Sequence, residues 1–161
     1  MVGDKIEFVF SVVEKPKLQV NILATDPQEG IYRLTEEDAE YMTSLPGAAP
    51  LEKVSFIAFS GNKQMLALYA DGDTSGNTIV CPADLSREIN RQSTYKLGAS
   101  QIYWCGNQCI VLTLKDKLAI VGPNDTEEID VKTRQDGIIC TTEDDGLRVT
   151  TAEHTHFFEI V

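Results

Sequence analysis

Val54-Ser55-Phe56-Ile57-Ala58-Phe59-Ser60-Gly61-Asn62 lies over Gln101-Ile102-Tyr103-Trp104-Cys105-Gly106-Asn107, and the two Gly-Asn steps are 45 residues apart. Each is an alternating run that stops at Gly-Asn. A second apolar run follows each stop: Met65-Leu66-Ala67-Leu68-Tyr69, then Ile110-Val111-Leu112-Thr113-Leu114. Alternation with period two marks a half-buried strand, and Gly and Asn supply the backbone freedom a tight reversal needs. A weaker third copy begins at Asp136. Four strands recurring every ~40–45 residues is the period of a β-propeller blade. The alternative reading is a plain meander or a sandwich with similar hairpins.

Outward from that pair the same signal recurs. Ile6–Val13, Leu18–Leu23 and the shorter Ile31–Leu34 precede it, with Lys15-Pro16 splitting the first two. Thr78–Cys81 and Glu88–Tyr95 complete the first copy, and Leu118–Val121 and Glu128–Lys132 the second. Ile138–Thr142, Leu147–Thr151 and His156–Ile160 form the third. Asp145-Gly146 between two runs is a strong hairpin signal. Gly122-Pro123-Asn124-Asp125 and Asp136-Gly137 are further turns. One segment differs: Thr35-Glu36-Glu37-Asp38-Ala39-Glu40-Tyr41-Met42 has a Thr cap and acids in its first turn. It predicts a short helix near 35–44, ended before Pro46-Gly47. The expected fold is all-β, a partial propeller of about three to four four-stranded antiparallel units. Residues 1–161 read as a single propeller-type domain: an irregular first part to 52, blades at 53–97 and 98–134, and a partial blade at 135–161.

Composition narrows the function. The chain has 161 residues, 42% apolar and 24% charged, enough for a packed core. Its net charge of −11 repels phosphate backbones and anionic membrane leaflets. Nucleic-acid binding and direct membrane insertion are therefore not expected. No apolar run reaches the ~20 residues of a membrane helix, and Met1–Glu7 lacks the pattern of a signal peptide. A cytoplasmic location follows, with membrane association peripheral and through partners. Cys81, Cys105, Cys109 and Cys140 are then expected as reduced thiols.

No nucleophile elbow, phosphate loop or dinucleotide fingerprint is present in the sequence. The expected protein is not an enzyme and needs no cofactor. Asp71-Gly72-Asp73-Thr74-Ser75-Gly76 fits the opening of a calcium loop, with Asp71, Asp73 and Ser75 as candidate ligands. Ile79 and Pro82 stand at the ninth and twelfth positions, so the closing acid is missing, and a polar hairpin loop is the plainer reading. Cys105 and Cys109 form one loose pair, short of a zinc set, and fit buried thiols on facing strands. His154-Thr155-His156 puts two imidazoles on one strand face without a third ligand, which suits solvent-facing histidines. Glu143, Asp144 and Asp145 make a solvated turn that can also serve as a recognition surface. Trp104 reads as packing between blades, or as a binding anchor where it points outward.

Gln101–Asn107, the strand end Leu118-Ala119-Ile120-Val121-Gly122-Pro123, the hairpin Asp144-Asp145-Gly146-Leu147-Arg148-Val149 and His156–Ile160 occur in that order. This resembles the end of the N-terminal propeller of the vacuolar protein sorting-associated protein 16 family. The family carries a Trp-Cys-type strand, an aliphatic strand end closing on Gly-Pro or Gly-Asp, and an acidic Asp-Gly hairpin. The resemblance is clear over about residues 95–161 and generic before that. It implies a scaffold in the HOPS and CORVET tethering complexes, acting in endosome-to-lysosome or vacuole trafficking and membrane fusion. The implied partners are the class C core and, indirectly, a Sec1/Munc18-like subunit, held in the family by an α-solenoid not seen here. About three and a half blades of ~45 residues fit the chain, so open edges predict self-association. A stand-alone calcium- or small-ligand-binding β-domain is the alternative.

Overall fold

A computed structural model describes residues 8–14, 19–26, 30–34, 39–51, 53–71, 75–95, 98–114, 117–122, 126–131 and 138–159. Among these residues the alternating runs form fifteen strands in four antiparallel sheets. The first sheet holds β1 (Phe8–Glu14), β2 (Gln19–Asp26), β3 (Gly30–Leu34) and β4 (Ala39–Met42). The second holds β5 (Val54–Phe59), β6 (Met65–Asp71), β7 (Ser75–Pro82) and β8 (Asn90–Tyr95). The third holds β9 (Gln101–Cys105), β10 (Cys109–Thr113), β11 (Lys117–Val121) and β12 (Thr126–Asp130). The fourth holds β13 (Ile139–Thr142), β14 (Gly146–Thr150) and β15 (Thr155–Glu159). Every strand pairs with its neighbour in sequence. The leading strands of successive sheets run side by side, β5 by β9 and β9 by β13. This is a partial β-propeller, all-β as the repeat implies.

The cores lie between sheets, because each inner sheet is apolar on both faces. Leu66 and Leu68 of β6 turn to one side and meet Ile31, Leu45 and Leu51. Ala67 and Tyr69, one step out of phase, meet Ile102, Trp104, Ile110 and Leu112 on the other side. A third cluster joins Cys105, Val111 and Leu118 to Cys140, Leu147 and Val149. Full burial of each large aliphatic side chain contributes about 1.5–3 kcal/mol. Ile57 and Phe59 of β5 face the first cluster and Phe56 and Ala58 the second, and a register shift between Val54 and Phe56 changes the phase at the strand's start. Val54 packs into the first and Phe56 against the second, where strict alternation would put them on one face.

The helix expected near 35–44 is not formed. Ala39–Met42 is β4, paired to β3 with Tyr41 opposite Tyr32 and Met42 opposite Ile31. The two tyrosine rings lie 5.1 Å apart, and Met42 packs against the first cluster. Cross-strand contacts and burial outweigh the capping preference of a four-residue segment. Thr35–Asp38 lie outside the described residues.

The connection to the second sheet is pinned by one side chain. Arg91 donates to the carbonyls of Pro50 (3.1 Å) and Ala49 (3.0 Å) while Glu88 pairs with it at 2.8 Å. Glu88 thus holds Arg91 in place, and the strand expected from Glu88 begins at Asn90.

Candidate interaction surface at the stacked turns

The 45-residue spacing has a direct structural meaning. Gly61 follows β5, Gly106 follows β9, and Glu143-Asp144-Asp145 follows β13, so equivalent turns stand in a row. The Gly61 amide donates to the Gly106 carbonyl at 3.0 Å, and the Gly106 amide to the Gly146 carbonyl at 2.9 Å. Asparagines run beside this line. The Asn62 amide donates to Asn107 Oδ1 at 2.8 Å, and Asn107 Nδ2 donates to the Asp144 carbonyl at 3.2 Å. Each turn therefore satisfies backbone groups of its neighbour. Glycine is needed for two reasons. Gly106 sits at φ +56°, and a Cβ on Gly61 would lie 2.8 Å from the Asp144 Cα.

Asn62, Lys63, Asn107, Gln108, Asp144 and Asp145 line the exposed rim of this row. A recess of about 50 Å³ opens between Gly106, Asn107, Asp144 and Asp145. Glu143 is held in place: its Oε1 and Oε2 accept from Arg148 Nε (2.6 Å) and Nη2 (3.2 Å). Arg148 in turn lies over the Phe157 ring, 5.6 Å from its centroid. The carboxylates of Asp144 and Asp145 remain at the surface. The rim is a polar ledge held in place by these hydrogen bonds.

The other candidates lie elsewhere. Trp104 is 3% exposed, between the second and third sheets, with Nε1 donating to the Ala58 carbonyl at 3.0 Å. Asp71 ends β6 and Ser75 begins β7, while Asp73 is outside the described residues. His154 and His156 are exposed with ring centroids 5.9 Å apart. Among the described residues no three His, Cys, Asp or Glu side chains come together as a metal set, and no helix is long and apolar enough to cross a membrane. In the sequence Gly61, Asn62 and Asn107 read as turn formers; the equal spacing of the two Gly-Asn steps is the signal that the turns also touch.

Cys105 and Cys109 are opposite each other across the β9–β10 hairpin. All four cysteines are free thiols. Burial pushes Cys81, Cys109 and Cys140 from 9.0 up to about 12, with Asp84 and Glu88 adding to the effect at Cys81. Burial also raises Cys105 and the Tyr103 phenol. Unfolded thiols ionise first, so the unfolded state binds fewer protons above pH 9 and stability falls with rising pH. We expect the urea midpoint to be flat below pH 9 and to drop steadily from there toward 12. A midpoint that holds through this range would show that the thiols are not buried.

Residues 9–161 match the family described as Vps16, N-terminal region. The chain belongs to this family. A probable vacuolar protein sorting-associated protein 16 homolog of Schizosaccharomyces pombe (strain 972 / ATCC 24843) is 29% identical over 150 residues. That alignment covers 91% of this chain and 17% of the relative, so the chain spans less than a fifth of that protein's length. The Vps16 match reaches back through the first two sheets, well beyond the stretch from residue 95 where the motifs are clear. In this Vps16 N-terminal region the Trp-Cys strand is β9, and the acidic Asp-Gly hairpin is the third turn of the stacked row.

Proposed function

We propose that this chain is a non-enzymatic interaction scaffold, a propeller unit spanning residues 1–161 within a HOPS- or CORVET-type tethering complex. Its work is to hold other subunits in endosome-to-lysosome or vacuole trafficking and membrane fusion. Membership of the Vps16 N-terminal family carries this reading. The ledge of stacked turns supports it, because fixed backbone and side-chain polar groups suit recognition of a protein surface. Partners are other subunits of the class C core, with the Sec1/Munc18-like subunit reached indirectly. The net charge of −11 fits peripheral placement on endosomal, lysosomal or vacuolar membranes through those partners.

Affinity capture of the tagged chain from cells, followed by mass spectrometry, tests the proposal. Tethering-complex subunits are expected to co-purify, and Asp145→Lys is expected to lower their recovery with the fold intact. Recovery of no such subunit, from a lysate in which the class C subunits still capture one another, would remove the proposal.

A further inference from the structure

A cavity of about 260 Å³ lies between the second and third sheets. The strand register shows how its two walls are built. Across β7 and β8, Thr78 stands opposite Gln92 and Val80 opposite Asn90, and these pairs form one wall. Ile110 of β10 stands opposite both Trp104 of β9 and Val121 of β11, and this row forms the other. Ile89, 49% exposed, stands at the mouth with the exposed Asn107 and Gln108. None of the lining residues is charged.

Two polar atoms of the first wall are left over. Thr78 Oγ1 and Gln92 Oε1 are buried and have no hydrogen-bond partner among the described residues. Thr78 is 2% exposed, so bulk water does not solvate its hydroxyl. A buried polar group without a partner is destabilising, and folded proteins almost always pair it. The Trp104 indole N–H is not spare, because it donates to the Ala58 carbonyl at 3.0 Å. The unmet groups are a hydroxyl, which donates and accepts, and an amide oxygen, which only accepts. Directly opposed strand residues have Cβ atoms about 4.5–5.5 Å apart, so one oxygen can bridge the two side chains. A ligand hydroxyl meets both needs at once: it donates to Gln92 Oε1 and accepts from Thr78 Oγ1. An indole N–H meets only the first. A carboxylate meets only the second and brings a charge into an uncharged, largely apolar space. Water carries the hydroxyl but leaves the apolar walls uncovered.

We infer that this cavity is a binding pocket for a neutral phenol, whose hydroxyl bridges Thr78 and Gln92 and whose ring packs among Val80, Trp104, Ile110 and Val121. Aromatic rings associate favourably in offset or edge-on contact, which the Trp104 indole offers. An apolar space with a few placed polar groups is also the usual form of a small-ligand site. A free phenol and the side chain of a tyrosine carry the same group, and the probes separate these two sources. The site does not depend on the tethering reading.

Heteronuclear NMR of the full chain, titrated with p-cresol, tests it. Saturable shifts are expected at the Trp104 indole N–H, the Gln92 side-chain amide and the Thr78 backbone amide. Toluene lacks the hydroxyl and anisole cannot donate, and each is expected to bind about tenfold more weakly. This arm needs no protein variant. Thr78→Val keeps the side-chain shape and removes the orphan hydroxyl. It is expected to hold or raise the urea midpoint, to weaken p-cresol about tenfold and to spare toluene. N-acetyltyrosinamide shifting the same signals assigns the pocket to a tyrosine side chain, and its exclusion while p-cresol binds assigns it to a free phenol. Equal affinity for p-cresol and toluene, p-cresol binding indifferent to Thr78→Val, or a lowered Thr78→Val midpoint would overturn the inference. So would the absence of any shift at these groups up to the solubility limit of p-cresol, the result expected where water alone fills the cavity.

Discussion

Gly61→Ala lowers stability by about 2–3 kcal/mol, the upper part of the range for overpacking. Gly61 has no positive φ, so the cause is space alone. The added Cβ would lie 2.8 Å from the Asp144 Cα and 2.8 Å from the Glu143 carbonyl oxygen. Both are backbone atoms, and no rotamer can move them aside. The third turn must shift as a unit, which also strains the Asn107–Asp144 hydrogen bond of 3.2 Å. Gly47→Ala is the control. Gly47 sits at φ +72° with nothing within 4 Å of its would-be Cβ, so only the left-handed backbone costs, about 1–2 kcal/mol. Urea unfolding followed by far-ultraviolet circular dichroism compares the two. A Gly61→Ala midpoint equal to wild type would mean that the turns do not touch in solution.

Trp104→Ala has the larger effect, about 3–5 kcal/mol. The indole is 3% exposed and fills the space between the second and third sheets. Truncation opens a cavity there and orphans the Ala58 carbonyl, which now accepts from Nε1 at 3.0 Å. Against a typical total of about 5–15 kcal/mol, this leaves the fold marginal. Trp104→Phe separates the two contributions. It keeps most of the ring and loses the donor, so it costs about 1–3 kcal/mol. Because Trp104 is the single tryptophan, native fluorescence reports this boundary alone. Blue-shifted emission with weak iodide quenching is expected. Solvent-like emission, or a Trp104→Ala midpoint near wild type, would place the side chain outside the core.

Much of this architecture is legible in the sequence because period two survives burial on both faces. Leu66-Ala67-Leu68-Tyr69 reads as a continuous apolar run, and the structure divides it between two cores. Met65 and Tyr69 differ from Ile110 and Leu114, the residues they match 45 positions on, yet the Gly-Asn step before each run marks the two as equivalent. What misleads is local chemistry. Thr35 and the acids after it form a good cap and first turn, but Ala39–Met42 finds a partner in β3 that no local signal announces. The same holds for the ledge. Asp144 and Asp145 are readable as a turn, whereas their seat on Gly61 and Asn107 depends on contacts spanning two sheets. Glu143 and Arg148 lie five residues apart, and only the hairpin register brings them together.

The sharing of each apolar cluster by two adjacent sheets has a thermodynamic consequence. No sheet owns a core. The second and third sheets are each held by two shared clusters, and the fourth by one. Stability is therefore a sum over nearest neighbours, as in linear repeat arrays. Melting away the fourth sheet forfeits one boundary term, whereas losing the third forfeits two. The second and third sheets, each gripped from both sides, are therefore expected to be the last to unfold.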